Sequence, residues 1–304
     1  MFAHNDAAIP DNYLEAWTRE IANWVDARAD VLWARNALIP RKVGEDVQID
    51  VVVTYTKTGT GAQVVSKGGV PTAKTGIAST TNKQDIYQIM DQFQVHEKDL
   101  KSDPSMYSKE LDMCLRNVHQ LEDDMAINGN AALGLSGVLG MAAANPNGKI
   151  VNTGASGSDL DNNGAWTELT ALDPYADILD AVEMLGSKYD PVQIGGNRKG
   201  LARLFRKDKS SAQHEPWTQQ IAPLLGYSPS DNPYKTWLKT SSKFPRGKVV
   251  LMSKDADAGE FVVSENPYPD RLPKAAGGNF PVEIKSWSVP RLYDEECFVV
   301  IDIT

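Results

Sequence analysis

Three consecutive acids, Glu122, Asp123 and Asp124, sit in the stretch HQLEDDMAINGNAALGLSGVLG, and glycines follow at 129, 134, 137 and 140. Carboxylates beside a glycine-lined loop are raw material for acid–base catalysis, with backbone free to come close to a substrate. Their spacing argues against that use. Adjacent residues of a helix point in different directions, and no partner base, nucleophile or metal set is readable nearby. The histidines at 4, 96, 119 and 214 are scattered, without H-E-x-x-H or other ligand spacing. His119 is expected on the surface of its helix. Gly-Leu-Ser-Gly around Ser136 lacks the second glycine position of a nucleophile elbow. There is no phosphate-binding G-x-x-x-x-G-K-[ST], and GLSGVLG follows no convincing strand. Asp159, Asp161, Asn163 and Gly164 fit the first half of a calcium loop, but position twelve is Thr170 and Glu168 falls two places early; a polar turn is the stronger reading. No catalytic, cofactor-binding or metal-ligating residue is assigned, and the chain reads as a non-enzyme.

The acids close a long helix. In SDPSMYSKELDMCLRNVHQLEDDMAING, Asp103 caps the start and Pro104 takes the first helical position. Tyr107, Leu111, Cys114, Val118, Leu121 and Met125 make one apolar stripe, and Asn128–Gly129 supply the stop. Lys109, Asp112, Arg116, Asn117, Gln120, Asp123 and Asp124 occupy the other face. Such a helix is expected to lie as a spine across a sheet. Acids at its C-terminus oppose the helix dipole by a few tenths of a kcal/mol each, so cations from elsewhere should meet them; Arg203, Arg206 and Arg291 are candidates, in this chain or another copy.

Around the spine, the spacing predicts a helix over about 12–36, carrying Trp17, Trp24 and Trp33, which either dock on the chain's own core or anchor a neighbour. Val47 to Tyr55 alternates as a strand, and Tyr87 to Val95 alternates again. The polar, glycine-rich 57–83 between them, with Lys57, Lys67 and Lys74, reads as the tip of an extended hairpin. Further on, a helix should start at Asp173–Pro174 with Ile178, Leu179, Val182 and Leu185 inward. Short helices are expected near 197–207 and 216–226, and strands at PVQIGG, KVVLMS, EFVVSE, FPVEIKSWSV and CFVVIDI, the last central in its sheet. The class is α+β, with subregions and no fixed-period repeat.

Composition narrows the function. With 304 residues and 41% apolar content a substantial core is available. A net charge of −9 argues against a protein built to grip phosphates, though not against a container that holds nucleic acid loosely. Cys114 and Cys297 read as buried thiols, not a disulfide framework. No window reaches ~18 uninterrupted apolar residues, and the N-terminus lacks a signal-peptide pattern. A reducing cytoplasm is the expected place of synthesis, with no membrane.

FQVHEKDLKSD, the helix ending LEDDMAINGNAALGLSGVLG, and the final PRLYDEECFVVIDIT together resemble the major capsid proteins of tailed phages and the related encapsulin shells. The resemblance rests on Glu122, Asp123, Asn128, Gly129, Gly134, Leu135, Gly137, Val138 and Leu139, and on the order of elements along the chain. It implies the Hong Kong 97-type capsid fold: an N-terminal arm over 1–37, an extended loop over 38–100, a peripheral domain from 101–186 and 281–304, and an axial domain over 187–280. It implies self-assembly of pentamers and hexamers into an icosahedral virion shell around double-stranded DNA held without sequence-specific contacts. A separate scaffolding or decoration protein stays open, since no scaffolding segment precedes the arm. Subunit-interface candidates are Trp17, Trp24, Trp33, Lys57, Lys67, Glu122, Asp123, Asp124, Gly129, Gly134, Gly137 and Gly140. Glycines there would let backbones of neighbouring copies approach, against the plainer reading of a turn within one subunit. An encapsulin-type cargo shell is the alternative; a glycine-loop enzyme and a ring-forming tail or portal component rank below it.

Overall fold

The computed structural model describes residues 15–21, 33–44, 47–58, 76–96, 107–147, 150–151, 174–185, 192–205, 216–255, 258–272 and 279–303. Helix α1 covers 15–21 and α2 covers Trp33–Ala37; residues 22–32, with Trp24, lie outside the described set, as do Asp103, Pro104 and the 159–170 loop. The long helix α3 runs Ser108–Asn128.

Helix α3 lies across a four-stranded sheet of order β1-β11-β12-β4, formed by Ile39–Lys42, Gly259–Arg271, Asn279–Leu292 and Tyr87–His96. Burial alternates cleanly along the first ten residues of β12, as half-buried sheets require. Between helix and sheet pack Leu111, Cys114, Leu115, Val118, Met125, Ile89, Phe93, Val95, Val282 and Ile284. Leu121, expected in the stripe, is 44% exposed, and Glu122 lies inward beside Leu115. The stripe was spaced at 3.5 residues per turn, whereas a straight helix turns ~100° per residue, so the buried arc drifts off Leu121.

A second sheet has the order β7-β13-β10-β8-β9: Ile150–Val151, Phe298–Asp302, Lys248–Ser253, Val192–Gly196 and Leu238–Thr240. Helices α5 (Pro174–Leu185) and α7 (Trp217–Leu224) pack on it, and the short α6 (Arg198–Leu201) follows β8. Leu179 and Val182 of α5 are half-buried, while Ile178 and Leu185 are fully inward. A third cluster, including Trp33, Ala126, Val138, Phe244, Phe261 and Phe298, joins the two sheets. Helix α4 (Val138–Ala144) belongs to this junction.

Two expectations are corrected here. The extended hairpin is β2 (Ile49–Thr58) with β3 (Gly76–Asp85), paired through ten residues, and not 47–55 with 87–95. Strand β4 instead pairs with β12, because its alternating Ile89, Phe93 and Val95 face the spine. The grouping of segments also changes. β11, from the expected axial segment, shares the spine's sheet. α5 and β13, expected with the spine, join the five-stranded layer, where β13 hydrogen-bonds to β10 and is buried along four residues. Its central place, between β7 and β10, is as the sequence indicated. Among the described residues, no helix is long and apolar enough to cross a membrane.

Candidate functional site

The last two turns of α3 meet α2, β12 and the start of β10's loop. Glu122 is 1% exposed and lies at the centre. The Arg35 guanidinium donates from Nε and Nη2 to its two oxygens at 2.9 and 2.8 Å. His119 Nδ1 lies 2.7 Å from Oε2, and Ser286 and Ser288 hydroxyls donate to Oε1 at 3.2 and 2.9 Å. Burial by itself would raise the Glu122 pKa, but Arg35 and the His119 bond outweigh it and hold the carboxyl well below the usual carboxylate range. This is a bidentate, fully bonded buried pair, which tolerates removal of neither partner.

Asp123 caps α2. Its Oδ1 accepts the Ala34 amide at 2.9 Å and its Oδ2 accepts the Ser241 hydroxyl at 3.0 Å. Here burial wins: together with the neighbouring Glu122 charge, it pushes the Asp123 pKa up to about 6 against those bonds. Asp124 stays at the surface and takes a bond from Asn128 Nδ2.

Two glycines then fold the chain onto itself. Gly129 has φ 77° and ends the helix, and Gly129–Asn130 pairs with Leu135–Ser136. A Cβ on Gly137 would stand 2.2 Å from the Gly129 amide nitrogen, and one on Gly129 would stand 2.5 Å from the Gly137 nitrogen. Neither position has room for a side chain. Gly134 has φ 67° and faces open space, as does Gly140.

Several interface candidates therefore prove to be occupied within one chain. Trp17 and Trp33 are each 1% exposed; Trp17 meets Phe93 edge-on at 6.0 Å and Trp33 meets Phe244 at 5.2 Å. Within the chain, Glu122 meets Arg35 and His119, and Asp123 meets the Ala34 amide and the Ser241 hydroxyl. Arg291 is buried and donates to Gln84 O. His119 is a buried partner of Glu122, contrary to its expected surface place. Gly129 and Gly137 serve an internal turn. Lys57 falls on β2, and Lys67 lies outside the described residues. Gly134 and Gly140 are exposed and Asp124 is half-exposed. Arg35 was missed: nothing in its local pattern sets it apart, and its role depends on a partner 87 residues away. Glu122 had a readable signal, since on the helical wheel it falls between Leu111 and Leu115. Among the described residues no group of His, Cys, Asp and Glu could hold a metal.

No family model and no curated protein matches the sequence. Solved structures do match, over nearly the whole chain. The virus-like particle from Pyrococcus furiosus superposes with a TM-score of 0.62 at 12% identity, covering 95% of this chain and 99% of that one. The capsid of an empty GTA particle gives 0.64 at 11% identity, covering 90% of each chain. The capsid of Myoviridae phage XM1 gives 0.61 at 10% identity, covering 90% and 92%. The chain has the tailed-phage capsid fold. At such identities side chains diverge, so the buried Glu122 knot and the Gly129–Gly137 turn are read from this chain alone. In the capsid fold seen here, the acid-rich end of the spine is a joint that ties α2 to the spine, to β12 through Ser286 and Ser288, and to the Ser241 segment after β9.

Proposed function

We propose that this chain is a major capsid subunit that self-assembles into a closed icosahedral shell around double-stranded DNA, forming a virion after synthesis in a host cytoplasm. The observation that carries it is agreement with capsid subunits over nine-tenths or more of the chain at TM-scores of 0.61–0.64. In this reading the four-stranded sheet and spine form the peripheral region, the five-stranded layer with α5 and α7 the axial region, and β2–β3 the extended loop. Residues 1–37 are the arm, though α2 is locked to the spine through Arg35 and Asp123. Surface positions Asp124, Gly134 and Gly140, and Lys57 and Lys67 by sequence, are the interface candidates to test. Many modest contacts per subunit compound through multivalency. The function is structural and not enzymatic, and the acidic chain contains DNA without reading its sequence; a scaffolding or decoration protein would be a separate chain.

Purified protein should sediment at megadalton size and show closed shells of regular diameter in negative stain. A stable monomer under every salt and pH condition, or an open ring, overturns the reading. A cargo-enclosing shell of the encapsulin type is the second reading. Particles isolated from the producing cells separate the two: nuclease-protected DNA supports the virion, an enclosed enzyme supports the cargo shell.

A further inference from the structure

The charge of this chain is unevenly placed. Residues 192–248 hold eleven of its 31 Lys and Arg but three of its 40 Asp and Glu. Topology gathers part of that excess at one end of the five-stranded layer. β8 and β9 run parallel and finish there; β10 is antiparallel to β8 and begins there; β13 finishes there. Arg198 and Lys199 follow β8, while Lys243, Arg246 and Lys248 precede or open β10. Backbone bonds hold these segments together, from Ser241 N to Gly196 O and from Ile303 N to Gly247 O. A Cβ on Gly200 would touch the Arg246 carbonyl at 3.2 Å, which places α6 against the Arg246 loop. Arg198, Lys199, Arg246 and Lys248 are exposed and Lys243 is half-buried. Bordering acids are Asp302, opposite Lys248 in the ladder, and Asp124 of the spine, with Asp123 lying deeper under Ser241.

The other end of the same layer is acidic. β13 starts there, preceded by Asp294, Glu295 and Glu296. The C-terminal turn of α5 is brought to it by Asn147, which bonds Met184 O, and by Asn145, which bonds Phe298 O. Among the described residues there, Glu183 and Glu295 are exposed, Asp294, Glu296 and Asp255 are half-exposed, and Lys254 is an exposed cation. At ~3.3 Å per residue the strands hold the two ends roughly 17 Å apart. That is about twice the screening length of ~8 Å at physiological salt, so the ends do not neutralise each other within one chain.

We propose that the basic end of this layer in one copy docks on the acidic end of the same layer in the next copy, a head-to-tail contact. The proposal rests on the self-assembly reading above. Two different, complementary patches on identical chains make a heterologous interface, which closes into rings when its rotation permits. Opposite charge sets orientation and speeds encounter, and like ends repel. Duplex DNA is the competing occupant of the basic end. The acids bordering that end, and the matched acidic patch on the same layer, favour protein, since phosphate-gripping surfaces gain affinity from each added cation and lose it to each acid.

The test is a charge swap. Arg198→Glu with Lys199→Glu and Arg246→Glu reverses one end; Glu183→Lys with Glu295→Lys reverses the other. All five side chains are exposed, and circular dichroism checks that the variants fold. Assembly is read by sedimentation and negative stain beside the unaltered chain. Each reversal alone should raise the concentration needed for assembly at least tenfold. The chain carrying both reversals should recover most of it, because its ends are again complementary. Single reversals that assemble normally, or a combined variant that fails to recover, overturn the contact. Intact shells with less protected DNA in the basic-end variant overturn it in favour of DNA. Failure of the unaltered chain to form any shell strikes the self-assembly reading itself, and this contact with it.

Discussion

Around the spine, the buried surface includes a carboxylate, a guanidinium, an imidazole and two serine hydroxyls, all converging on Glu122. Beneath α5 and α7, the five-stranded layer is closed chiefly by Ile178, Ile194, Trp237, Leu238, Val249, Leu251, Val299 and Ile301. Both regions exclude water, but by different means. Apolar packing is non-directional and tolerates substitutions that keep volume. A buried charge cluster is satisfied in one arrangement, so it fixes where α2 sits on the spine. The layer is held firmly; the joint is held specifically. The largest expected effect follows. Glu122→Ala strands Arg35 and His119 in the interior and should cost about 3–5 kcal/mol. Ile194→Ala, a cavity in the layer, should cost about 2–5 kcal/mol. Urea melts at several pH values separate them: the Ile194 loss should be the same at each pH, whereas the Glu122→Ala loss should shrink in strong acid, where the unaltered Glu122 is itself protonated.

Next in size is the glycine turn. Gly137→Ala places a methyl group against backbone at Gly129, where no flexible side chain can yield, and should cost about 3 kcal/mol. Gly140→Ala, inside α4 and facing open space, should be neutral or stabilising by up to ~1 kcal/mol. An interface role alone for Gly137 would give a variant that folds but does not assemble. The geometry predicts loss of folding first, seen as a lowered melting temperature of the isolated subunit. Normal stability of Gly137→Ala would restore the interface role.

How much was legible follows the range of the interactions. The spine, the two strands at KVVLMS and CFVVIDI, and the α5 start were readable because their patterns are local and periodic. β3, GIASTTNKQD, pairs with β2 in a two-stranded ribbon, and its sequence carries no apolar alternation to mark it as a strand. The acid-rich helix end was noticed, but its partners were sought among Arg203, Arg206 and Arg291. Arg35 and Ser288 reach Glu122 across 87 and 166 residues, and no spacing rule connects them. Close approach holds for Gly129 and Gly137 and not for Gly134 and Gly140, which face open space; which backbone approaches is not in the sequence.

Within the joint, Glu122 and Asp123 should answer acid in opposite senses. Asp123 has a folded-state pKa of about 6, above its ordinary 3.8. Its charged form is therefore penalised in the fold, and stability should rise as pH falls from about 7 through 6, with the gain complete near 4. Glu122 is depressed, so its contribution is present above the ordinary carboxylate range and is lost only in stronger acid. Asp123→Asn keeps an acceptor for the Ala34 amide without the charge. It should raise stability at pH 7 by about 1–3 kcal/mol and flatten the profile between pH 7 and 4. An unchanged slope in that window would show that Asp123 does not carry it.

The smallest effect is read in labelling rates and asks whether the two regions open together. Cys114 lies in the spine core, and burial followed by the Asp91 charge pushes its thiol up to about 12. Cys297 lies in the junction beside β13, 0% exposed. At pH 8 the Cys114 thiolate population is about a thousandfold below that of an ordinary thiol, so an alkylating reagent should label Cys114 only through opening of the spine core. In the unaltered chain both thiols should react slowly and at similar rates if unfolding is one cooperative event. Glu122→Gln should then speed Cys114 labelling more than Cys297 labelling, since it loosens the joint without making a cavity in the layer. Equal acceleration of both would mean that the polar joint and the dry layer unfold as one unit, and that the distinction between them is one of composition and not of mechanics.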